Sequence, residues 1–151
     1  PAIGAAFEKI RCEILCQRRA AATLRAQVLE MRRKMSGSLA TRGDAALFDL
    51  KQDPGGLVDV EFIVQYLVLA HACDHPALAG NLGNIALLRI AAAAGLIPAD
   101  LADGARDAYR EYRRLQHLRR LDNLDSRVDA APHAARIAAV RALWKHVFGE
   151  S

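Results

Sequence analysis

Aromatic side chains are scarce in this chain: one Trp, three Tyr and four Phe among 151 residues. Binders of single-stranded nucleic acid stack bases on such rings, so the scarcity argues against that class. Charge of one sign is scarce too. Twenty-one Lys and Arg stand against seventeen Asp and Glu, a net charge of +4, which describes a mixed solvated surface rather than a one-sided basic footprint. Nucleic acid is therefore not an expected partner. Cysteine is limited to Cys12, Cys16 and Cys73. Three thiols make no disulfide framework, and reduced cytoplasmic cysteines are the expectation. The C-x-x-C and paired-His spacings of a zinc site are missing. No uninterrupted apolar run reaches the ~18 residues of a membrane helix, because Gln65 and Arg89 break the best candidates. No membrane association is expected. The opening "PAIGAAFEKIRCEI" is charged and amphipathic, unlike a secretory leader. It also lacks an initiator Met, so a fragment of a longer multidomain chain is the expectation.

What is present is helical pattern. Hydrophobic residues make up 52% of the chain, and the abundance of alanine favours closely packed helices. Phe7, Ile10, Ile14, Ala21, Leu24, Val28, Met31 and Met35 recur at 3–4 spacing with Gln17 as the one polar break. This predicts one long amphipathic helix over 1–36 with arginines on its back. "SGSLATRGD" interrupts it, and 37–55 reads as a linker ending in a Gly-Gly turn. A second helix starts near Gly56 or Leu57, with Val60, Ile63, Val64, Leu67 and Val68 covering most of its circumference; such a helix is central and buried. His71, at its far end, reads as a core histidine. "IALLRIAAAAGLI" is a short apolar helix with Gly95 placed as a C-cap. Pro98 opens a fourth helix that turns Leu101, Ala105, Ala108, Tyr112, Leu115 and Leu118 inward. The fifth buries Ile137, Val140, Trp144 and Val147. No run of β-branched residues alternates with period two. The expected architecture is all-α, a single helical domain over 1–151: an antiparallel bundle of about five helices with its core in 56–148.

The chemistry concentrates in "KQDPGGLVDVEF", residues 51–62. Gly55 and Gly56 suit a sharp turn or a close backbone approach. N–H groups at the following helix start attract anions, and Lys51 offers a mobile ammonium. That is the logic of a phosphate site. Asp59 and Glu61 nevertheless fill the same positive end with carboxylates, as ordinary helix starts do. Residues two apart on a helix point roughly 200° from each other at ~100° per residue, so the two acids do not converge on one metal. At most one faces a cleft, and the other is expected to anchor a neighbouring loop or helix. Gly37-Ser38 with Asp59-Val60-Glu61 superficially matches the Gly-Ser and Asp-x-Asp pair of nucleotidyltransferases, but those acids sit on strands. No Gly-Lys-Ser/Thr follows the glycines, so this is not a Walker loop. No catalytic residue and no metal ligand is expected in this chain.

The stretch "FDLKQDPGGLVDVEFIVQYLVL" (48–69) resembles the C-terminal helical domain of the bacterial glutamine synthetase adenylyltransferase family. Supporting similarity lies in "LRAQVLEMRRKM" (24–35), "NIALLRIAAAAGLIPADLADGARDAYREYRRLQHLRR" (84–120) and "AAVRALWKHVF" (138–148). The family is two-headed. One half attaches AMP from ATP to a tyrosine of glutamine synthetase, and the other removes it by phosphorolysis. Asp59-Val60-Glu61-Phe62, followed by Gln65-Tyr66-Leu67-Val68-Leu69, resembles the adenylylating half. The resemblance implies an accessory domain whose Mg2+ and ATP are bound mainly by a preceding catalytic domain. Lys51, Gly55, Gly56, Asp59, Glu61 and Gln65 would face or brace the cleft between the two. Implied partners are glutamine synthetase, a PII-type signalling protein and other domains of the same polypeptide. By itself the chain would be catalytically silent. The competing expectation is a non-enzymatic interaction module that uses basic helix faces.

Overall fold

The computed structural model describes residues 2–37 and 44–149. Six helices carry most of the chain: α1 (Ala2–Leu15), α2 (Ala21–Gly37), α3 (Leu57–His71), α4 (Asn84–Ala93), α5 (Ala99–Leu121) and α6 (Ala134–Phe148). Two short strands, β1 (Leu47–Asp49) and β2 (Arg127–Asp129), pair antiparallel with Phe48 opposite Val128. Turns of 3-10 helix occupy Pro76–Ala79 and Ala131–His133.

The core forms around α3. Val60 and Ile63 are wholly buried, and Leu57, Val64, Tyr66 and Leu67 nearly so, as expected of a helix apolar over most of its surface. Four helices, α2, α4, α5 and α6, pack on it. Small residues line α5: Ala102, Ala105 and Ala108 are buried, and a Cβ on Gly104 would lie 3.1 Å from the Ala139 methyl of α6. The start of α4 is tied to α5 by the Asn84 amide, which donates to the Tyr109 hydroxyl at 2.9 Å. Gly95 ends α4 at φ +77°, the left-handed cap expected there.

Three expectations need correction. The long first helix is two. Leu15 ends α1, and the Arg19 guanidinium folds back onto the carbonyls of Ile14, Leu15 and Gln17. Capping the last carbonyls in this way is how a helix end is satisfied without continuing. The stripe that seemed to run through the break does not form a buried seam: Phe7, Ile10 and Ile14 are at least half exposed, as is Met31. The face α1 turns inward is Cys12 and Leu15, with Arg11 donating to the Ala79 carbonyl at 2.6 Å. Second, the chain is helical but not strictly all-α, since β1 lies in the expected linker and β2 between the fourth and fifth expected helices. Their three-residue length is too short to show a period. Residues 38–43 of that linker lie outside the described residues. Third, Leu118 is exposed rather than turned inward.

Candidate functional site

The turn before α3 is built almost entirely from its own hydrogen bonds. Asp49, at the end of β1, accepts the Lys51 N–H at 2.9 Å and the Gln52 N–H at 3.1 Å. The same oxygen, Oδ1, accepts from the Ser126 hydroxyl at 2.9 Å, joining the turn to the segment before β2. In return Asp53 Oδ2 accepts the Asp49 N–H at 2.8 Å. Each carboxylate closes a local ring, which is why Asp recurs in such turns.

The next four N–H groups are also engaged. Gly55 donates to Asp59 Oδ2 at 2.8 Å, and Gly56, Leu57 and Val58 donate to the carbonyls of Asp53, Leu50 and Lys51 at 2.9, 2.8 and 3.0 Å. A helix start ordinarily leaves such donors free; here the preceding chain has taken them. The glycines explain how it approaches so closely. Gly55 has φ +91°, and a Cβ there would lie 2.8 Å from the Ile137 side chain on α6. A Cβ on Gly56 would lie 2.7 Å from the Leu50 carbonyl oxygen. Both glycines are thus required by packing against the chain itself.

The two acids of α3 diverge, as their spacing requires. Asp59 is 4% exposed, and its Oδ1 accepts from Arg32 Nε at 2.6 Å. Arg32, itself 7% exposed, also donates to the Gln52 carbonyl at 2.7 Å. Asp59 is the anchoring acid: it joins α2, the turn and α3. Glu61 is half-buried and Gln65 exposed; among the described residues neither side chain makes a hydrogen bond. Lys51 is exposed and lines a hollow of about 180 Å³ with Gln116, Arg119, Arg120 and Ser126. Gln116 is 9% exposed without a described hydrogen-bond partner. Arg119 is held by the Asp125 backbone carbonyl, which leaves Lys51 and Arg120 as the uncommitted cations of this hollow.

These residues do not fit a metal. Asp59 is neutralised by Arg32 and Gly55, Glu61 lies away from it, and among the described residues no three His, Cys, Asp or Glu side chains gather. Nearby, burial pushes the Tyr112 hydroxyl well above the ordinary tyrosine range, which keeps it a neutral core group. Sequence reasoning brought forward Lys51, Gly55, Gly56 and Asp59, which the fold unites in one turn. It passed over Arg32, hidden among the arginines of α2, and Gln116, an ordinary-looking polar residue on α5. The one available signal for Arg32 was a buried acid needing a cation.

The resemblance noted in the sequence has counterparts among known proteins. The family model described as GlnD PII-uridylyltransferase matches residues 22–127. A bifunctional glutamine synthetase adenylyltransferase/adenylyl-removing enzyme of Aromatoleum aromaticum is 60% identical over 149 residues, covering 99% of this chain and 16% of the relative. Proteins of the same name from Bordetella bronchiseptica and Neisseria meningitidis are 54% and 47% identical, covering 95% and 99% of this chain and 15% and 16% of theirs. The chain therefore spans about one-sixth of the length of the curated relatives it matches. No helix among the described residues is long and apolar enough to cross a membrane.

Proposed function

Because the chain belongs to the family described as GlnD PII-uridylyltransferase, we propose that it serves as a helical accessory segment of a bifunctional nucleotidyltransferase acting on glutamine synthetase. Its full-length relatives carry that name. In this reading the adenylylating half contains the segment, Mg2+ and ATP are held mainly by a neighbouring catalytic domain, and the enzyme works in the cytoplasm. Glutamine synthetase, a PII-type signalling protein and the other domains of the polypeptide are its partners. The segment alone performs no chemistry.

The observation that carries the reading is the division of labour within "KQDPGGLVDVEF". Its glycines and Asp59 are consumed by internal packing and hydrogen bonds, while Lys51 projects exposed from that rigid base. A turn needed only to start a helix has no use for an uncommitted cation beside a cationic hollow. Lys51 faces the cleft toward the nucleotide phosphates, Glu61 and Gln65 lie along the same margin, and Gly55, Gly56 and Asp59 brace it. The test is Lys51→Ala in the full-length enzyme, measuring adenylylation of glutamine synthetase against ATP concentration. At least a tenfold loss in kcat/KM with an unchanged melting temperature is expected. Unchanged kcat/KM would remove Lys51 from the cleft.

A second reading, a protein-interaction module, draws on α1. Ile3, Phe7, Ile10 and Ile14 are 50–85% exposed on one stripe, an apolar face of the kind that mates with another protein surface. Within the first reading, other domains of the same polypeptide cover it. The basic helix back is a weaker argument: on α5, Arg106, Arg110 and Arg114 each pair with an acid three residues earlier. Screened pairs of this kind leave little bare positive charge.

A further inference from the structure

Sharing no lining residue with the Lys51 hollow, a groove of about 240 Å³ opens between α2, the turn and α6. Its floor is the Arg32–Asp59 pair, and its walls include Leu29, Pro54 and Trp144. Two further arginines line it, Arg33 from α2 and Arg141 from α6. Both are exposed, and among the described residues neither makes an ion pair or a hydrogen bond. This sets them apart from Arg106, Arg110 and Arg114 of α5, which are each paired. The one carboxylate in the groove, Asp59, is already matched by Arg32 and the Gly55 N–H, so it does not repel an incoming anion. The Arg141 stem is fixed over the turn, its Cγ only 3.3 Å from where a Gly55 Cβ would stand. Trp144 is 7% exposed, and its indole N–H has no described hydrogen-bond partner.

We propose that this groove binds a small phosphate ester carrying a planar ring, of mononucleotide size, with the phosphate between Arg33 and Arg141 and the ring against Trp144, Leu29 and Pro54. Two guanidiniums approaching from different helices suit a dianionic phosphate better than a single carboxylate, because each presents a planar fork of donors. The mostly apolar walls give no reward to an anion without a body. The volume lies just below the ~300 Å³ at which drug-sized ligand pockets begin, which excludes a folded peptide or an oligonucleotide. Among the described helices only α3 packs substantially against α2, so a ligand spanning Arg33 and Arg141 would add a second tie, from α2 to α6. The groove shares the bracing Asp59 with the turn but none of the residues that face the proposed cleft, Lys51, Glu61 and Gln65.

The test is a calorimetric and 15N NMR titration of the 151-residue chain with AMP, with inorganic phosphate and adenosine as the two half-ligands. Saturable AMP binding is expected, with shifts at the Trp144 indole and reduced amide exchange in α2. Arg33→Ala and Arg141→Ala should each weaken it at least tenfold, and each half-ligand should bind at least tenfold more weakly than AMP. Arg110→Ala, on an exposed pair elsewhere, should leave it unchanged. If either Ala form fails to fold, the Lys form replaces it, and loss of the bidentate fork should still weaken binding several-fold. Absence of saturable AMP binding, equal binding by the arginine variants, or phosphate binding as tightly as AMP would each overturn the proposal.

Discussion

Replacing Arg32 tests the internal logic of the motif most directly. Arg32→Ala leaves the Asp59 carboxylate, 4% exposed, without its cation and strips the Gln52 carbonyl of its donor. Removing one member of a buried ion pair costs about 3–5 kcal/mol, because the remaining charge keeps its desolvation penalty and loses its compensation. For a chain of this length, each kcal/mol moves the melting temperature by about 2–4 °C, so Arg32→Ala should lower it by roughly 6–20 °C. Asp59→Ala should fall in the same range, since it orphans both Arg32 and the Gly55 N–H. The double variant decides the interpretation. With both charges gone, the penalty for an unpaired charge disappears, and the total should fall short of the sum by about 1–3 kcal/mol, the coupling expected of residues in one network. Urea unfolding of the 151-residue chain, followed by circular dichroism, measures all three. Strict additivity, or a loss below about 1 kcal/mol for either single change, would refute the claim that this pair fastens α2 to the turn.

Three other outcomes follow from the same coordinates. Gly55→Ala, which must hold φ +91° and place a methyl 2.8 Å from the Ile137 side chain, should destabilise by about 2–4 kcal/mol; Gly95→Ala, at φ +77° with open space around it, should cost only about 1–2 kcal/mol, and equal losses in urea melts would contradict the packing argument. Tyr112→Phe removes a wholly buried hydroxyl that has no hydrogen-bond partner among the described residues, so stability should hold or rise by up to about 1 kcal/mol, and a loss of stability would mean the hydroxyl has a partner. His71 is held below the ordinary histidine range first by burial and then by repulsion from His75. Its folded-state value lies under its unfolded one, so the unfolded chain binds more protons between the two. Stability from neutral His71 is complete above about pH 6.5 and declines as the pH falls through the folded-state value; His71→Asn should flatten that part of the stability profile, and an NMR titration placing His71 above 6.5 would reverse the sign.

Much of this fold could be read from periodicity, and the failures lie where no period reaches. The centre of the bundle was legible because α3 is apolar on nearly every side, a pattern only burial explains. The end of α4 and the start of α5 were legible because Gly95 and Pro98 are locally decisive. The break after Leu15 was not, because the 3–4 spacing of apolar residues continues across it. What stops the helix is the Arg19 side chain returning to three carbonyls, and a side chain's choice of partner has no period. The β1–β2 pair was hidden for a different reason: three residues per strand carry no alternation, and the pairing is set by distant groups such as Ser126 on Asp49. In the site, helix geometry alone was enough to separate Asp59 from Glu61. It could not say which acid was the anchor, since that depends on Arg32, 27 residues earlier in the chain.

That remote dependence bears on how the motif is used. Arg32 grips Asp59 and the Gln52 carbonyl together, Asp59 holds the Gly55 N–H, and Gly55 sits against Ile137 of α6. The Val58 N–H holds the carbonyl of Lys51 itself. A displacement of α2 therefore cannot be absorbed by a soft loop, because the turn has few unengaged backbone groups with which to yield. It must either break the buried pair or move Lys51 and the first turn of α3 as a unit. The rigidity that looks like mere helix-capping is what couples α2, which among the described helices packs substantially only on α3, to the exposed cation of the proposed cleft. Loosening the coupling at Asp59 should accordingly disturb the placement of Lys51 even though no atom of the lysine side chain is touched.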